Sequence, residues 1–242
     1  ATGAHDLAGA RAFAERALAV AEAVEDDAGM LRLLNSLAGI AWRQRDYAAA
    51  EARLHAALAA NAELGDERLE IVFRGNLGVM ATEQGRPEAA VAQLRPALAL
   101  ARRLEIPFYA MQLLAQLSRA SLALRDMAAA EAHTRELHDL ARELGNDEML
   151  AAAHAMTGAI ASARGDHALA HASHRACIEI AGRIDDTTYV VHGLVGLGRL
   201  ALRVGRAKTA VRLMAAAQRV LDRDEHGFTA ADAAEVAADL EQ

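Results

Sequence analysis

Alanine recurs along this chain at a fixed interval of 40 residues. The alanines of this column are Ala10, Ala50, Ala90, Ala130, Ala170 and Ala210. A second column of small residues keeps the same interval: Ala38, Gly78, Ser118, Gly158 and Gly198. A fixed period of this length indicates a stack of similar supersecondary units and not a single globular core. The functional question is therefore what such a stack holds.

Composition indicates an all-α fold in a reducing compartment. The chain is 53% hydrophobic but only 3% aromatic, and alanine, the strongest helix former, supplies much of the apolar content. No apolar run approaches the ~18 residues needed to cross a bilayer, and no signal peptide is apparent. The only cysteine, Cys177, cannot form an internal disulfide and fits a buried core position. We therefore expect a cytoplasmic protein without a membrane partner.

Charge and motifs exclude two further classes of function. The net charge of −7 argues against a direct nucleic-acid partner, because phosphate binding requires a clustered positive surface. The sequence contains no phosphate-binding glycine loop, no nucleophile elbow and no carboxylate pair in a predicted pocket. We therefore predict no enzyme activity and no cofactor.

Residues 28–64 show how one repeat is built. Apolar and small residues of 28–44 have the spacing of one helical face. Asp46 is placed to cap a second helix that begins at Tyr47, and Gly65 is placed to end it. Each repeat is predicted to be helix A, a tight turn and helix B. Helix A is expected to cross helix B of its own repeat at the column that contains Ala38, because close approach requires small side chains.

The whole chain, 1–242, is predicted to form one solenoid. Its parts are a half repeat at 6–25, full repeats at 28–64, 67–103, 107–144, 147–183 and 187–223, and a C-terminal capping helix at 229–241. Pro96 falls inside a predicted helix and either kinks it or merely shortens it, and we favour the second effect. The chain starts in mid-unit without a methionine, so we expect a piece of a longer protein whose exposed N-terminal repeat face can mediate self-association.

The repeat pattern resembles the tetratricopeptide repeat, in a longer variant of about 40 residues. The similar residues are Leu37-Ala38-Gly39, Leu77-Gly78-Val79 and Leu197-Gly198-Arg199 in helix A, and Tyr47, Ala50 and Ala57 in helix B. The resemblance extends over 6–223. It implies a right-handed α-α superhelix of antiparallel helix pairs, in which helix A lines the concave face and binds a partner.

Two segments near the C-terminus have a narrower resemblance. The stretches 193–222 and 229–242 are similar to the end of the repeat region in bacterial signalling ATPases related to the maltose-regulon activator and the LuxR-type regulators. This resemblance implies that the repeats sense an inducer or partner and control self-association. The ATPase and DNA-binding parts of that family have no counterpart here, so those activities are not carried over.

The resemblance also implies which side chains face the concave surface. Those with binding chemistry are Arg32, Asn35, Trp42, Arg43, Gln112, Arg119, His192, Arg199 and Arg203. Guanidinium groups suit carboxylates through paired hydrogen bonds. We therefore predict binding of a peptide, a protein partner or a small acidic effector. The alternative is a solvated groove with scattered arginines.

Three histidines fall on one face of a predicted helix. His167, His171 and His174 have the i, i+4, i+7 spacing that metal-binding helices use. No acidic residue supports them in the same helix turn, so we favour packing and surface roles over metal binding. Three functions therefore remain open: a regulatory binding module, a structural scaffold for oligomerisation, and, least favoured, a metal- or pH-responsive module.

Overall fold

The computed structural model describes residues 2–223, with side chains described over 7–222. Eleven α-helices occupy this part of the chain, and it contains no strand. They are α1 (Thr2–Ala23), α2 (Asp27–Arg43), α3 (Tyr47–Leu64), α4 (Glu67–Glu83), α5 (Pro87–Arg103), α6 (Pro107–Ala123), α7 (Met127–Glu143), α8 (Asp147–Arg164), α9 (His167–Arg183), α10 (Thr187–Arg203) and α11 (Ala207–Arg223). The predicted capping helix at 229–241 lies outside the described residues.

Successive helices are joined by the same short turn, which therefore recurs twice in each repeat. One residue of each turn has a left-handed backbone: Gly65, Gly85, Gly145, Gly165, Gly205, Glu25, Arg45, Glu105, Arg125 and Asp185. In every turn except the one after α3, the next backbone N–H then donates to the carbonyl five residues earlier, as from Asp46 to Ala41 at 2.9 Å and from Asp186 to Ala181 at 2.9 Å. This is the hydrogen bond of a Schellman C-cap. The A and B helices other than α3 therefore end in the same way.

The residue after the left-handed position usually caps the next helix. Asp46 Oδ1 accepts a hydrogen bond from the Ala49 amide at 3.1 Å, and Asp166 Oδ1 accepts one from Leu169 at 3.0 Å. A side-chain cap of this kind contributes about 1 kcal/mol to helix stability. The predicted cap at Asp46 and the predicted stop at Gly65, which has φ 72°, are confirmed.

The chain forms two compact units, which divide between Leu113 and Leu114 within α6. In the first unit α2 packs on α3 and α4 on α5, around a core that includes Leu54 and Phe73. In the second unit α8 packs on α9 and α10 on α11, and α10 also contacts α8. Cys177 is fully buried there, and burial raises the pKa of its thiol to about 12. The prediction that Cys177 is a core residue is confirmed.

Helix A meets helix B of the same pair where the predicted small column lies. A Cβ at Gly78 would lie 2.4 Å from Leu94 Cδ2, and a Cβ at Gly198 would lie 2.8 Å from Met214 Cε. In the pair between them along the chain, Ser118 Oγ and Thr134 Oγ1 are 2.6 Å apart. All three contacts join the same two positions of the repeat. The predicted crossing is therefore confirmed, and the small column allows the close approach.

Pro96 lies inside α5 without ending it. The helix runs from Pro87 to Arg103 and has 17 residues, the same length as α4. The favoured prediction, that this proline shortens the helix, is wrong. Pro87 occupies the start of α5, where the missing amide has no intrahelical partner to lose.

Candidate functional site

The second unit contains a cavity of about 570 Å³ to which α6, α8 and α10 all contribute. Its lining residues are Arg119, Leu122, Arg125, Met127, Ala155, Met156, Ala159, Ser162, Ala163, His174, Val191, His192, Val195, Gly196, Arg199 and Arg203. We call this cavity the arginine pocket. Most of the lining comes from A helices, because the B helices lie behind them in each pair.

Four arginines give the arginine pocket a positive character. Arg199 and Arg203 are four residues apart on α10, so they lie on the same helix face. Arg203 donates to the Ser162 carbonyl oxygen of α8 at 2.6 Å, which holds that guanidinium beside the end of α8. Arg119 contributes from α6, and no aspartate or glutamate is among the lining residues. A cavity lined by one sign of charge attracts ligands of the opposite sign.

The body of the arginine pocket is apolar. Met127, Met156, Val191 and Val195 line it together with alanines of α8. The small alanine side chains leave the space that larger residues would fill, and methionine adapts its shape to what it contacts. The arrangement suits a ligand that has an acidic group and an apolar part.

His174 belongs to α9 and reaches the arginine pocket between two glycines. Its side chain is 4% exposed. A Cβ built at Gly158 of α8 or at Gly196 of α10 would lie 2.5 Å or 2.3 Å from His174 Cε1. The Nδ1 atom is buried and has no hydrogen-bond partner. Burial, and then the nearby Arg199, lowers the pKa of His174 to about 4, so the imidazole is neutral at neutral pH.

Four of the nine predicted binding residues line the arginine pocket. They are Arg119, His192, Arg199 and Arg203. The His192 ring also contacts the Tyr189 ring edge-on, with centroids 5.5 Å apart. Gln112 is exposed on α6 and does not line this cavity. The role of these residues in binding stays a prediction.

The other four predicted binding residues lie in the first unit on α2: Arg32, Asn35, Trp42 and Arg43. Asn35 Oδ1 accepts a hydrogen bond from Asn76 Nδ2 at 2.7 Å. Trp42 packs against the core of the first unit, and its ring centroid is 4.6 Å from that of Tyr47. Asn35 and Trp42 thus have partners within the chain, whereas the two arginines are exposed.

The three histidines of α9 do not converge. His167 and His171 are exposed, whereas His174 is buried. Among the residues that the structure describes, no group of three or more His, Cys, Asp or Glu side chains is arranged to hold a metal ion. The predicted packing role of His174 is confirmed, whereas the packing role predicted for His167 is wrong, because that side chain is exposed. Sequence reasoning missed that His174 lines a cavity, although its place in the repeat, opposite Gly158, is a signal for the contact.

Comparison with protein families gives one match. Residues 29–103 match the tetratricopeptide repeat model. No curated protein matches the chain. The match agrees with the resemblance seen in the small-residue columns and covers the first two full repeats.

Solved structures with a similar fold extend the comparison to most of the chain. BtubC (BKLC) from P. vanneervenii has a TM-score of 0.72 and 18% identity, over 92% of this chain and 93% of that chain. A Rap protein complexed with competence and sporulation factor has a TM-score of 0.72 and 15% identity, over 81% of this chain and 55% of that chain. RapI in its apo form has a TM-score of 0.67 and 12% identity, over 81% of this chain and 71% of that chain.

These likenesses show the fold. The prediction of an all-α fold of the α-α superhelix class is confirmed. This chain spans about half the length of the Rap protein in the complex.

None of the helices between residues 2 and 223 has the length and apolar character needed to span a bilayer. Tetratricopeptide and related helical-repeat folds typically serve as protein-interaction modules without catalytic activity.

Proposed function

We propose that this chain is a non-catalytic binding module whose second unit recognises an acidic ligand in the arginine pocket. The observation that carries the proposal is a cavity of about 570 Å³ lined by Arg119, Arg199 and Arg203 and by no acidic residue. The ligand class is a peptide, a segment of a partner protein or a small acidic effector. No step of covalent chemistry is involved.

The size and the charge of the arginine pocket both support this function. Its volume lies within the range of roughly 300–1,000 Å³ that is usual for ligand sites. Arginine binds carboxylates through two parallel hydrogen bonds, which fix the orientation of the acid as well as its charge. Arg119 and Arg199 are half-buried, and partial exclusion of water strengthens such contacts.

The fold comparison supports a ligand-responsive role. A Rap protein with this fold was solved in complex with competence and sporulation factor. We propose that the present chain likewise binds a regulatory factor. The narrower resemblance of 193–222 and 229–242 extends the proposal to the regulatory repeat region of a cytoplasmic bacterial transcription regulator. In that setting the ligand would control self-association of the parent protein.

A structural scaffold that oligomerises is the second candidate function. It is favoured by the apolar side chains that α1 and the turn after it leave in solvent, where Phe13 is 72%, Val20 63% and Val24 67% exposed. Contiguous exposed apolar groups mark interaction surfaces. Sedimentation over a range of protein concentrations tests this candidate. A mass that doubles with concentration and returns to the monomer in Phe13→Asp would support it, and a constant monomer mass would rule it out.

The primary proposal is tested by removing two of the pocket arginines. The probe is a pool of N-acetylated tetrapeptide amides, each with one Asp or Glu, to which glutarate is added as a small diacid. Equilibrium dialysis with mass spectrometry measures what the protein retains. Each hydrogen bond to a charged group contributes about 1.5–3 kcal/mol. Two such bonds are lost, so we expect Arg119→Ala/Arg199→Ala to weaken binding of the retained acids by at least about 100-fold.

An arginine outside the arginine pocket controls for the loss of a positive charge elsewhere on the protein. Arg175 is exposed on α9, and its guanidinium pairs with Glu179 at 2.9 Å. Arg175→Ala removes the same kind of charge from the protein, so it is expected to bind acids as the native chain does. The proposal fails if the native chain retains no acid from the pool. It also fails if the double variant and Arg175→Ala bind acids equally well.

A further inference from the structure

The buried nitrogen of His174 has no structural role that explains it. Its side chain is 4% exposed, and Nδ1 has no hydrogen-bond partner. Leaving a buried polar atom without a partner costs free energy that an apolar side chain would avoid. Such groups are rare in native proteins, and each one calls for an explanation. The imidazole also lines the arginine pocket, which places it where a ligand would bind.

The equivalent positions of the other helix pairs show that packing alone does not require a histidine. They hold Leu54, Leu94, Thr134 and Met214. Three of these are apolar, and Thr134 shares its hydrogen bond with Ser118 at 2.6 Å. Met214 faces Gly198 as His174 faces Gly158, so a flexible apolar side chain fills this kind of contact well. His174 alone among them combines burial with an unpaired polar atom.

A second glycine opens this position toward α10. It is Gly196, and its counterparts in the earlier repeats are Ser36, Asn76, Gln116 and Met156. A Cβ at Gly196 would lie 2.5 Å from His174 Nδ1. The absence of a side chain there therefore lets the imidazole edge lie between α8 and α10. Gly196 itself lines the arginine pocket, three residues before Arg199.

We propose that His174 is a ligand-contacting residue of the arginine pocket, and that its imidazole hydrogen-bonds to a backbone amide of an acidic peptide. This inference rests on the proposed function and names its ligand class. The arginines receive the carboxylate, and His174 receives the neighbouring peptide group. The arginine pocket accordingly binds acidic peptides more tightly than simple diacids.

The spacing along α10 fits a peptide. Gly196 and Arg199 are three residues apart, which is about 4.5 Å of rise along a helix. Successive peptide groups in a chain are about 3.8 Å apart. A peptide that lies along α10 with its acid at Arg199 can therefore place the adjacent amide near Gly196, which lines the same cavity as His174. A diacid such as glutarate carries no amide to place there.

The experiment compares three substitutions at position 174 with the tetrapeptide pool and with glutarate as separate probes. His174→Met retains the packing seen at Met214 and removes both nitrogens. His174→Asn places an amide group near the position of Nδ1, and His174→Gln places one near Nε2. We expect His174→Met to weaken binding of the retained peptides at least tenfold and to change glutarate binding less than twofold. We expect His174→Asn to restore most of the peptide affinity and His174→Gln to restore little.

Thermal unfolding at neutral pH first verifies that each variant is folded, so that a loss of binding reports on the site. His174→Met that binds peptides like the native chain overturns the inference, because the nitrogen is then not used by the ligand. An equal loss of peptide and glutarate binding also overturns it, since the effect is then on the shape of the pocket. If peptide binding survives His174→Met but not Arg119→Ala/Arg199→Ala, the proposed function stands without this inference.

Discussion

Lowering the pH from 7 to 4 is expected to reduce the free energy of unfolding by about 3 kcal/mol through His174. Burial lowers the pKa of this imidazole from its ordinary 6.5 to about 4 in the folded protein. Between these two values the unfolded chain binds a proton that the folded chain does not. The contribution of the uncharged His174 to the free energy of unfolding is therefore complete above about pH 6.5. It declines as the pH falls and is lost near pH 4.

The difference between the native chain and His174→Met isolates this effect. Arg199 and His192 on α10 and His171 on α9 also lower the pKa of His174, and His154 has its own pKa lowered by burial and by His138. His154 therefore adds a pH dependence of the same sign in both proteins. The free energy of unfolding is measured with urea at half-unit steps from pH 7.5 to 4.5. Below about pH 6.5 it should fall less steeply with pH in His174→Met than in the native chain, by about 1.4 kcal/mol per pH unit. Parallel curves would contradict the prediction.

Gly158→Leu is expected to destabilise the protein by about 3 kcal/mol, at the upper end of what overpacking usually costs. The first added carbon would already lie 2.5 Å from the His174 ring, and further carbons would extend into the same contact. The ring cannot move aside toward α10, because the Gly196 backbone occupies that side. The small gain in helix propensity over glycine does not offset a clash of this size.

Gly39→Leu is the matched control for that substitution. Gly39 also lies within an A helix, α2, but nothing comes within 4 Å of a Cβ built there. Only the change in helix propensity then operates, so this variant should be stabilised by about 0.8 kcal/mol. The measurement is the urea unfolding midpoint of both variants at pH 7. A Gly158→Leu protein as stable as the native chain would show that the α8–α9 contact yields easily.

The fold class was predictable because each small-residue column corresponds to one physical contact. Gly78, Gly158 and Gly198 each face a large side chain of the following B helix, and that side chain holds the same place in every repeat. The caps at Asp46 and Gly65 follow from residue types with strong conformational preferences. The sequence did not show that the turns after the A helices resemble the turns after the B helices, because half of the left-handed positions are not glycine. Residues such as Arg45 and Glu105 carry no local signal for that backbone conformation.

The candidate site was only partly predictable. Arg119 and Arg199 were placed on the face that lines the arginine pocket, because helix A has a regular face. Asn35 and Trp42 occupy equivalent faces, yet they take partners within the first unit, and such contacts depend on side chains from other helices. The environment of His174 depends on Gly196 in the next helix of the chain, which no periodicity of one helix reveals.

The short turns between the helices also bear on how the chain folds. Each turn except the one after α3 closes by a hydrogen bond spanning five residues, and within each unit the helices pack on their neighbours in sequence or one helix further along. No distant segments must meet before a pair gains its contacts, so the entropy of loop closure is small. Short contact separation goes with rapid folding. In an array of this kind folding can nucleate at any pair and spread in either direction.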